Sequence, residues 1–282
     1  MMYALLTTAA LLFAMQFLFN QQFRKHNGDG DDSTVIFAGY THGISFLIML
    51  ILSGFKLEFT WFSVLIAAIY AVVVLGYNYA SLKSFATANL SVFSIYAMLG
   101  GMLLPLAYGV IFCDEKLNVF KVFCIILIGI ATSLSFEKST TKGNNLKYYL
   151  GVFFLNGMVG VLSKIHQSNN ALAVDSKSFM ATVNACVFII CLAYQLIKNK
   201  KIAKVSLKSI GSISGHAFCN GIGNLFCLIA LVSLPASIQF PITTGGVMVF
   251  STIISLIRKE KPSVKTLIST AIAFISTVLM MF

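Results

Sequence analysis

Residues 91–119, SVFSIYAMLGGMLLPLAYGVIFCDEKLNV, contain the pattern that decides the fold of this chain. Within this apolar stretch, Gly100-Gly101 is followed after thirteen residues by Glu115-Lys116. The same pattern returns near the C-terminus, at a gap-free 145-residue offset, as Gly245-Gly246, thirteen residues and Glu260-Lys261. Each copy is an apolar segment, a charged turn and a second apolar segment. The recurrence predicts that the chain is two copies of one membrane unit.

The composition supports a membrane protein. Of the 282 residues, 58% are hydrophobic and 10% are charged, whereas soluble domains carry about 25% charged residues. So few charges cannot cover a water-facing surface, which indicates an integral membrane protein. The net charge of +11 does not indicate a nucleic-acid partner, because the Lys and Arg residues lie in short loops between apolar runs, as is typical of membrane topology.

Ten apolar runs are long enough to cross a bilayer as helices, which takes about 20 residues. They lie at residues 2–19, 35–53, 61–82, 85–112, 119–136, 148–165, 179–197, 210–232, 235–257 and 264–282. Barrel strands alternate every second residue, and these runs do not. In lipid only a helix satisfies its own backbone over such a length. We therefore expect an all-α integral membrane protein with ten transmembrane helices.

The ten predicted helices divide into five plus five. We expect a first repeat at 1–137, a connecting loop at 138–147 and a second repeat at 148–282, together one transmembrane domain. A duplicated unit with an odd number of helices enters the membrane the second time in the opposite orientation. The expected architecture is an inverted repeat, which is typical of secondary transporters. The segment 24–34, RKHNGDGDDST, is expected to be a polar turn.

The sequence contains no GxSxG, HExxH or P-loop motif, so we expect no enzyme activity. All nine acidic residues lie in loops or at predicted helix ends, which argues against a carboxylate-driven drug/proton exchanger. The six cysteines lie in or beside apolar runs without a CxxC pair and are expected to be reduced packing residues. Neither a metal site nor a cofactor is predicted.

Neutral polar residues inside the runs are the candidates for ligand contact. His216, Asn220 and Asn224 recur every four residues and so share one helix face. This face is interpreted equally well as interhelical hydrogen bonds or as the lining of a cavity. Asn156, central in the sixth run, and Gln16 and Asn20, near the end of the first run, are weaker candidates. Asn78 belongs to Tyr77-Asn78-Tyr79 at the end of the third run, which is interpreted as an interfacial anchor or as part of a site. His42 and His216 are interpreted as proton sensors or as structural hydrogen-bonded residues.

The ninth run begins SLPASIQFPITTGG. Pro235 and Pro241 interrupt the backbone hydrogen bonds close to Gln239 and Thr243, which would suit a neutral or zwitterionic ligand. A kinked packing helix is the alternative. At the 145-residue offset, Gln239 corresponds to Ser94. The predicted substrate-binding residues are therefore Ser94, Asn156, Asn220, Asn224, Gln239 and Thr243.

The two glycine pairs have a physical role without any ligand. Small residues let helix backbones approach closely, so Gly100, Gly101, Gly245 and Gly246 are expected to serve packing or sliding of the fourth and ninth helices. Pro241 is placed in the same group as a bending residue.

Two stretches carry a family resemblance: residues 88–131, which contain the first glycine pair and charged turn, and residues 236–276, which contain the second. Together with ten runs in two halves, they resemble the drug/metabolite transporter superfamily, in particular its EamA-like branch. The resemblance implies alternating access around a cavity lined by helices 1, 3, 4, 6, 8 and 9. Ten-helix members are commonly placed with both termini in the cytoplasm.

The orientation stays open, because the loop charges favour the opposite arrangement. Fifteen Lys and Arg residues fall on one side of the predicted spans and five on the other. The positive-inside rule would place the first set in the cytoplasm and both termini outside.

The predicted function is secondary transport of a small polar metabolite, neutral or zwitterionic, in a cell membrane: the plasma membrane or a bacterial inner membrane. A small-multidrug-type exporter is the alternative within transport. A membrane enzyme acting on lipid-linked substrates is disfavoured because the four histidines are scattered. A non-transporting structural or receptor-like membrane protein is a third hypothesis, which solute flux in proteoliposomes would separate from transport. The expected partners are a small-molecule substrate and the lipid bilayer. A duplicated unit can act as a monomer, and a dimer is equally compatible.

Overall fold

The computed structural model describes residues 2–86, 90–112, 119–135, 146–169, 171–199, 205–231, 236–260 and 262–279. Across these residues the chain folds into ten α-helices. They are α1 (Met2–Asn27), α2 (Asp31–Leu52), α3 (Trp61–Ser84), α4 (Leu90–Phe112), α5 (Val119–Ser135), α6 (Leu146–Ser168), α7 (Ser176–Asn199), α8 (Leu207–Leu231), α9 (Ala236–Ile257) and α10 (Val264–Leu279).

Within the described residues, six helices are long and apolar enough to cross a membrane: α1 to α4, α6 and α7. Their outer faces expose large apolar side chains such as Trp61, Ile51 and Ile189. A surface of this kind is stable in lipid and not in water. The chain is therefore an all-α membrane protein.

Most helix contacts join the first five helices to the last five. Helix α1 packs on α8 and α9, while α6 packs on α3 and α4. Helix α8 also packs on α2, and α7 packs on α3 in the same way. Three further contacts join the halves: α2–α7, α4–α9 and α5–α10. Advancing every helix number by five reproduces each of these pairs. The two halves thus interlock and share one interior.

The helix starts recur at almost constant spacing along the chain. Asp31 and Ser176 begin α2 and α7 at the same offset that relates the two glycine pairs, and Val119 and Val264 do so for α5 and α10. The starts of α3 and α8, and those of α4 and α9, lie a single position beyond that offset.

The N-termini of α3 and α8 are closed by the same hydroxyl arrangement. The backbone N–H of Ser63 donates to Thr60 Oγ1 over 3.2 Å, and that of Ser209 donates to Ser206 Oγ over 3.2 Å. Such a side chain satisfies one of the N–H groups that a helix start leaves unbonded.

The glycine pairs lie where two helix backbones come close together. A Cβ added to Gly100 would stand 2.0 Å from the carbonyl oxygen of Phe153 on α6. On α9, a Cβ at Gly246 would stand 2.8 Å from the Cβ of Ala10 on α1. Any larger residue at Gly100 would therefore force α4 and α6 apart.

One predicted boundary is wrong. The first apolar run was expected to end at residue 19 and to lead to a polar turn at 24–34, yet α1 continues to Asn27 and α2 starts at Asp31. The extension is favourable because Arg24 and Lys25 lie at the negative end of the α1 dipole and Asp31 at the positive end of α2. The predicted connecting loop at 138–147 lies mostly outside the described residues, and α6 begins at Leu146.

Candidate functional site

A cluster of neutral polar side chains lies inside the bundle, between α1, α2, α3, α7 and α8. Each member is buried or partly buried. Each also either bonds to another member or lies within one helical turn of a member that does. We call it the polar cluster; it consists of Gln16, Asn20, Gln21, Thr41, His42, Ser45, Asn78, Ser81, Asn184 and His216.

His42 on α2 connects three helices of the polar cluster. Its Nδ1 is 2.6 Å from Oδ1 of Asn184 on α7. Its Nε2 is 3.5 Å from Nδ2 of Asn78 on α3. Both asparagines are buried, so the imidazole lies between two amides that are shielded from water.

Helix α1 joins the cluster through two further contacts. Nδ2 of Asn20 donates to Ser81 Oγ over 2.7 Å, and Ser81 lies one turn beyond Asn78 on α3. Nδ1 of His216 is 3.0 Å from the carbonyl oxygen of Gln16. The His216 ring also contacts the edge of Phe37 on α2, with 5.0 Å between centroids. Polar contacts therefore run from α7 through α2 and α3 to α1 and α8.

Five oxygen atoms of the polar cluster have no hydrogen-bond partner among the described residues. They are Gln16 Oε1, Asn20 Oδ1, Gln21 Oε1, Thr41 Oγ1 and Ser45 Oγ. All five are on α1 or α2, and the last four belong to side chains only 1–4% exposed. Buried polar atoms in native proteins are almost always hydrogen-bonded to protein, water or ligand. A concentration of free acceptors therefore suits a solute that brings N–H or O–H donors.

The polar cluster carries no permanent charge, and only its two imidazoles, His42 and His216, can gain one. It contains no carboxylate and no ammonium group. No group of three His, Cys, Asp or Glu side chains capable of holding a metal occurs among the described residues. The arrangement can therefore bind by hydrogen bonds and has no fixed charge to attract an ion.

Asn220 and Asn224 continue the His216 face of α8 by one and two turns. Nδ2 of Asn224 donates to both O and Oδ1 of Asn220, over 2.8 Å each. Both side chains are partly buried. Gly221, next to Asn220, faces Ile48 of α2. These two predicted residues therefore bond to each other, one and two turns along α8 from His216.

Two further predicted residues lie elsewhere: Ser94 on α4, and Asn156 in the contact of α6 with α4. Ser94 is fully buried and its hydroxyl donates to the carbonyl oxygen of Ser91 over 2.8 Å. Nδ2 of Asn156 donates to the carbonyl oxygen of Ala97 over 2.6 Å. A Cβ at Gly101 would stand 2.7 Å from that same nitrogen. Both side chains therefore bind backbone of α4 in this structure.

The remaining predicted residues are on α9. Thr243 is buried, with 8% of its surface exposed. A Cβ at Gly245 would stand 2.8 Å from Oγ1 of Thr277 on α10. The side chains of Gln239 and Pro241 lie outside the described part of the chain.

Aromatic rings of α1, α4 and α6 pack together in the interior of the bundle. Phe17 of α1 contacts Phe93 edge-on at 4.9 Å between centroids, and Phe85 stacks on Phe93 at 4.3 Å. Tyr96 of α4 stacks on Tyr149 of α6 at 5.3 Å. These rings belong to one buried apolar cluster contributed by α1, α3, α4, α6 and α9 together with Phe85.

Five members of the polar cluster were not among the predicted candidates: Gln21, Thr41, Ser45, Ser81 and Asn184. Single hydroxyls in an apolar run give no periodic signal. Comparison of the two copies offers a different signal. At the 145-residue offset, Thr41, His42 and Ser45 correspond to Cys186, Val187 and Ile190. A polar residue opposite an apolar one in the other copy marks a position where packing alone does not require polarity.

Comparison with known proteins gives the fold and no family. No family model matches the chain, and no curated protein matches it. A solved crystal structure of a protein superposes with a TM-score of 0.64 at 13% sequence identity, covering 99% of this chain and 95% of that one. At this identity the likeness concerns the fold alone.

Proposed function

We propose that this chain is a secondary transporter that moves a small polar metabolite, neutral or zwitterionic, by alternating access. Amino-acid-like and sugar-like solutes have the required chemistry. The observation that carries the proposal is the set of five unpartnered oxygens buried on α1 and α2 of a membrane-embedded bundle. A solute with several N–H or O–H groups would satisfy acceptors that are costly to leave unbonded in a membrane interior.

The architecture that we propose is ten membrane spans in two inverted five-helix repeats. Three observations support it. The extensive helix contacts between the two halves recur when every helix number is advanced by five. The helix starts recur within a single position of the offset that relates the glycine pairs. The caps of α3 and α8 have the same geometry. In such repeats the substrate site lies near the mid-plane where the halves meet, and the polar cluster joins helices of both halves.

The neutrality of the polar cluster favours an uncharged or zwitterionic solute. A cationic drug would need an anionic partner, and the cluster contains no carboxylate. Asn220 and Asn224 would extend the site along α8, while Gln239 and Thr243 would contribute from α9. The EamA-like branch of the drug/metabolite transporters and a plasma or bacterial inner membrane remain the proposed family and location.

Solute uptake into proteoliposomes tests the proposal. The full chain would be reconstituted and offered radiolabelled amino acids and hexoses one at a time. At least one should accumulate above protein-free vesicles. Asn220→Leu and Gln239→Leu should abolish that uptake without lowering membrane expression, whereas Ser168→Ala, at the exposed end of α6, should leave it unchanged.

Two results would contradict this proposal. Absence of uptake for every solute of both classes would count against transport of such metabolites. Uptake at the wild-type rate in both leucine variants would remove Asn220 and Gln239 from the site.

A further inference from the structure

The hydrogen bonds around His42 determine which ring nitrogen carries its proton. Nδ2 of Asn184 donates to the carbonyl oxygen of Met180 over 2.8 Å, which fixes the orientation of that amide. The Asn184 oxygen therefore faces Nδ1 of His42, at 2.6 Å. Two acceptors would repel each other at this distance, so Nδ1 must be the protonated nitrogen.

The other ring nitrogen of His42 has an unshared electron pair. Nε2 faces Nδ2 of Asn78, a donor, at 3.5 Å, so in this structure it is an acceptor. A proton added to Nε2 would set an N–H group against the N–H₂ group of Asn78. The contact could persist only if the Asn78 amide rotated and presented its oxygen. The ring and the amide therefore have two mutually exclusive arrangements, one for each protonation state.

Two hydroxyls without a hydrogen-bond partner in the described part of the chain lie near His42 along α2. Thr41 and Ser45 lie on α2 next to His42 and one turn away, and both have buried hydroxyls without a partner among the described residues. Among the titratable groups described on the helices that pack against α2, His216 on α8 is the one close enough for its charge to repel a charge on His42. The other groups that contact the ring are the neutral amides of Asn184 and Asn78. No fixed charge on a described residue therefore holds the ring in one state.

We propose that His42 is a proton-binding site that couples proton movement to the conformation of the polar cluster. A proton from water binds the electron pair of Nε2 and gives an imidazolium; the Asn78 amide rotates to accept from it, and loss of that proton restores the present arrangement. Asn78 lies one turn from Ser81, which binds Asn20 of α1. Protonation thus changes contacts at the place where a solute would bind. The coupling part of this inference rests on the proposed transport function.

His166 provides a matched comparison, because it is a buried imidazole outside the polar cluster. Its Nε2 is 2.9 Å from Ser63 Oγ, and its ring stacks on Phe179 with 3.8 Å between centroids. A hydroxyl can both donate and accept, so Ser63 suits either protonation state without a rearrangement.

Nitrogen NMR of the full chain labelled with ¹⁵N-histidine tests the site directly. The signals of the four histidines would be assigned with His→Gln variants and followed from pH 8 to pH 5. His42 should be the Nδ1–H tautomer at pH 8 and should gain a proton at Nε2 within this range. A His42 that stays neutral to pH 5 in the folded protein, or that carries its proton on Nε2 at pH 8, overturns the proposal.

The role of Asn78 is tested in the same titration. Asn78→Leu removes the amide that must rotate, so the midpoint of His42 should differ from that of the wild type. Asn169→Leu, a change of the same chemistry in the α6–α7 loop, should leave the midpoint unchanged. Equal midpoints in wild type and Asn78→Leu would show that the amide has no part in proton binding.

The coupling is tested with the solute that the uptake screen finds. A pH gradient across the vesicles should change the wild-type uptake rate, His42→Gln should lose this response, and His166→Gln should retain it. Wild-type uptake that ignores the gradient would overturn the coupling and leave transport standing. If no solute is taken up, transport fails while the NMR titration still decides whether His42 binds the proton.

Discussion

The polar cluster and the region that corresponds to it in the other half differ in chemistry but not in packing. The corresponding region is a buried group on α3, α6 and α7, with Ala38 of α2, which we call the apolar counterpart. At the 145-residue offset, which relates the starts of α2 and α7, His42 corresponds to Val187, and Val187 is fully buried. The fold can therefore fill this position with an apolar side chain, so the polarity of His42 is not explained by stability.

The largest expected effect comes from placing the chemistry of the polar cluster in the apolar counterpart. Val187→His would bury an imidazole beside Ala67, Tyr70 and Val183 without the two amides that flank His42. We expect the free energy of unfolding to fall by about 3 kcal/mol, measured by denaturant titration in micelles. Val187→Leu should cost less than about 1.5 kcal/mol. An equal loss of unfolding free energy in both variants would show that side-chain volume, and not polarity, limits what this position tolerates.

A smaller effect is expected where the two halves differ at a helix start. Asp175, before α7, accepts hydrogen bonds from the backbone N–H groups of Lys177 (2.8 Å) and Ser178 (3.2 Å) and from the Ser178 hydroxyl. Its counterpart before α2, at the offset that relates the two halves, is Gly30, which makes no side-chain cap. Asp175→Ala should lower the free energy of unfolding by about 1 kcal/mol at pH 7, whereas Gly30→Ala should not remove any cap.

The effect of Asp175 should depend on pH. Burial raises the pKa of Asp175, but hydrogen bonds from Ser178 and Lys177 lower it more, so that it lies below the ordinary value of 3.8. A carboxylate with a lowered pKa stabilises the fold above its unfolded pKa and loses this effect as the pH falls through the folded pKa. The difference between wild type and Asp175→Ala should therefore be full at pH 7 and shrink below pH 3.8. A difference that is constant down to about pH 2.5 would refute the cap.

The smallest effect compares a bonded hydroxyl with an unbonded one. Thr252 on α9 is 2.5 Å from Ser91 Oγ and donates to the Met248 carbonyl oxygen over 2.9 Å. Thr252→Val should cost about 0.6 kcal/mol, as is usual for such bonds in membranes. Thr41→Val should cost nothing or stabilise the protein, because Thr41 Oγ1 has no partner among the described residues.

For solute uptake we expect the reverse ranking, with the larger effect from Thr41→Val and the smaller one from Thr252→Val. Thr41→Val removes an acceptor of the proposed site and should reduce solute uptake, while Thr252→Val should leave the rate unchanged after correction for expression. Reduced stability in Thr41→Val would mean that its hydroxyl already has a structural partner.

The sequence predicts the helices better than it predicts the site. Continuous apolar runs indicate a helix directly, since lipid leaves the backbone no other partner. The end of α1 was missed because Asn20 and Gln21 look like loop residues, yet both are buried inside the bundle. Composition records the polarity of a residue but not whether protein, lipid or water surrounds it.

The candidate site was predicted where polar residues repeat on one helix face. On that face His216 contacts α1, whereas Asn224 bonds to Asn220 of the same helix. Ser94 and Asn156 have the same chemistry but bind backbone carbonyls. Which of these roles an amide or hydroxyl takes depends on the neighbouring helix, and that neighbour is distant in sequence. Only the contrast between the two halves could have indicated Thr41 and Ser45.

The interlocking of the two halves has a consequence for biosynthesis. Gln16 and its partner His216 are 200 residues apart, and at about 5–20 residues per second the ribosome needs roughly 10–40 s to produce that length. During this interval α1 has entered the membrane without α8 or α9, with Gln16, Asn20 and Gln21 lacking the helices that bury them. The translocation machinery or other early helices must shelter these amides until the last quarter of the chain arrives. Truncated chains that end before α8 should therefore be retained by the insertion apparatus or degraded by membrane proteases.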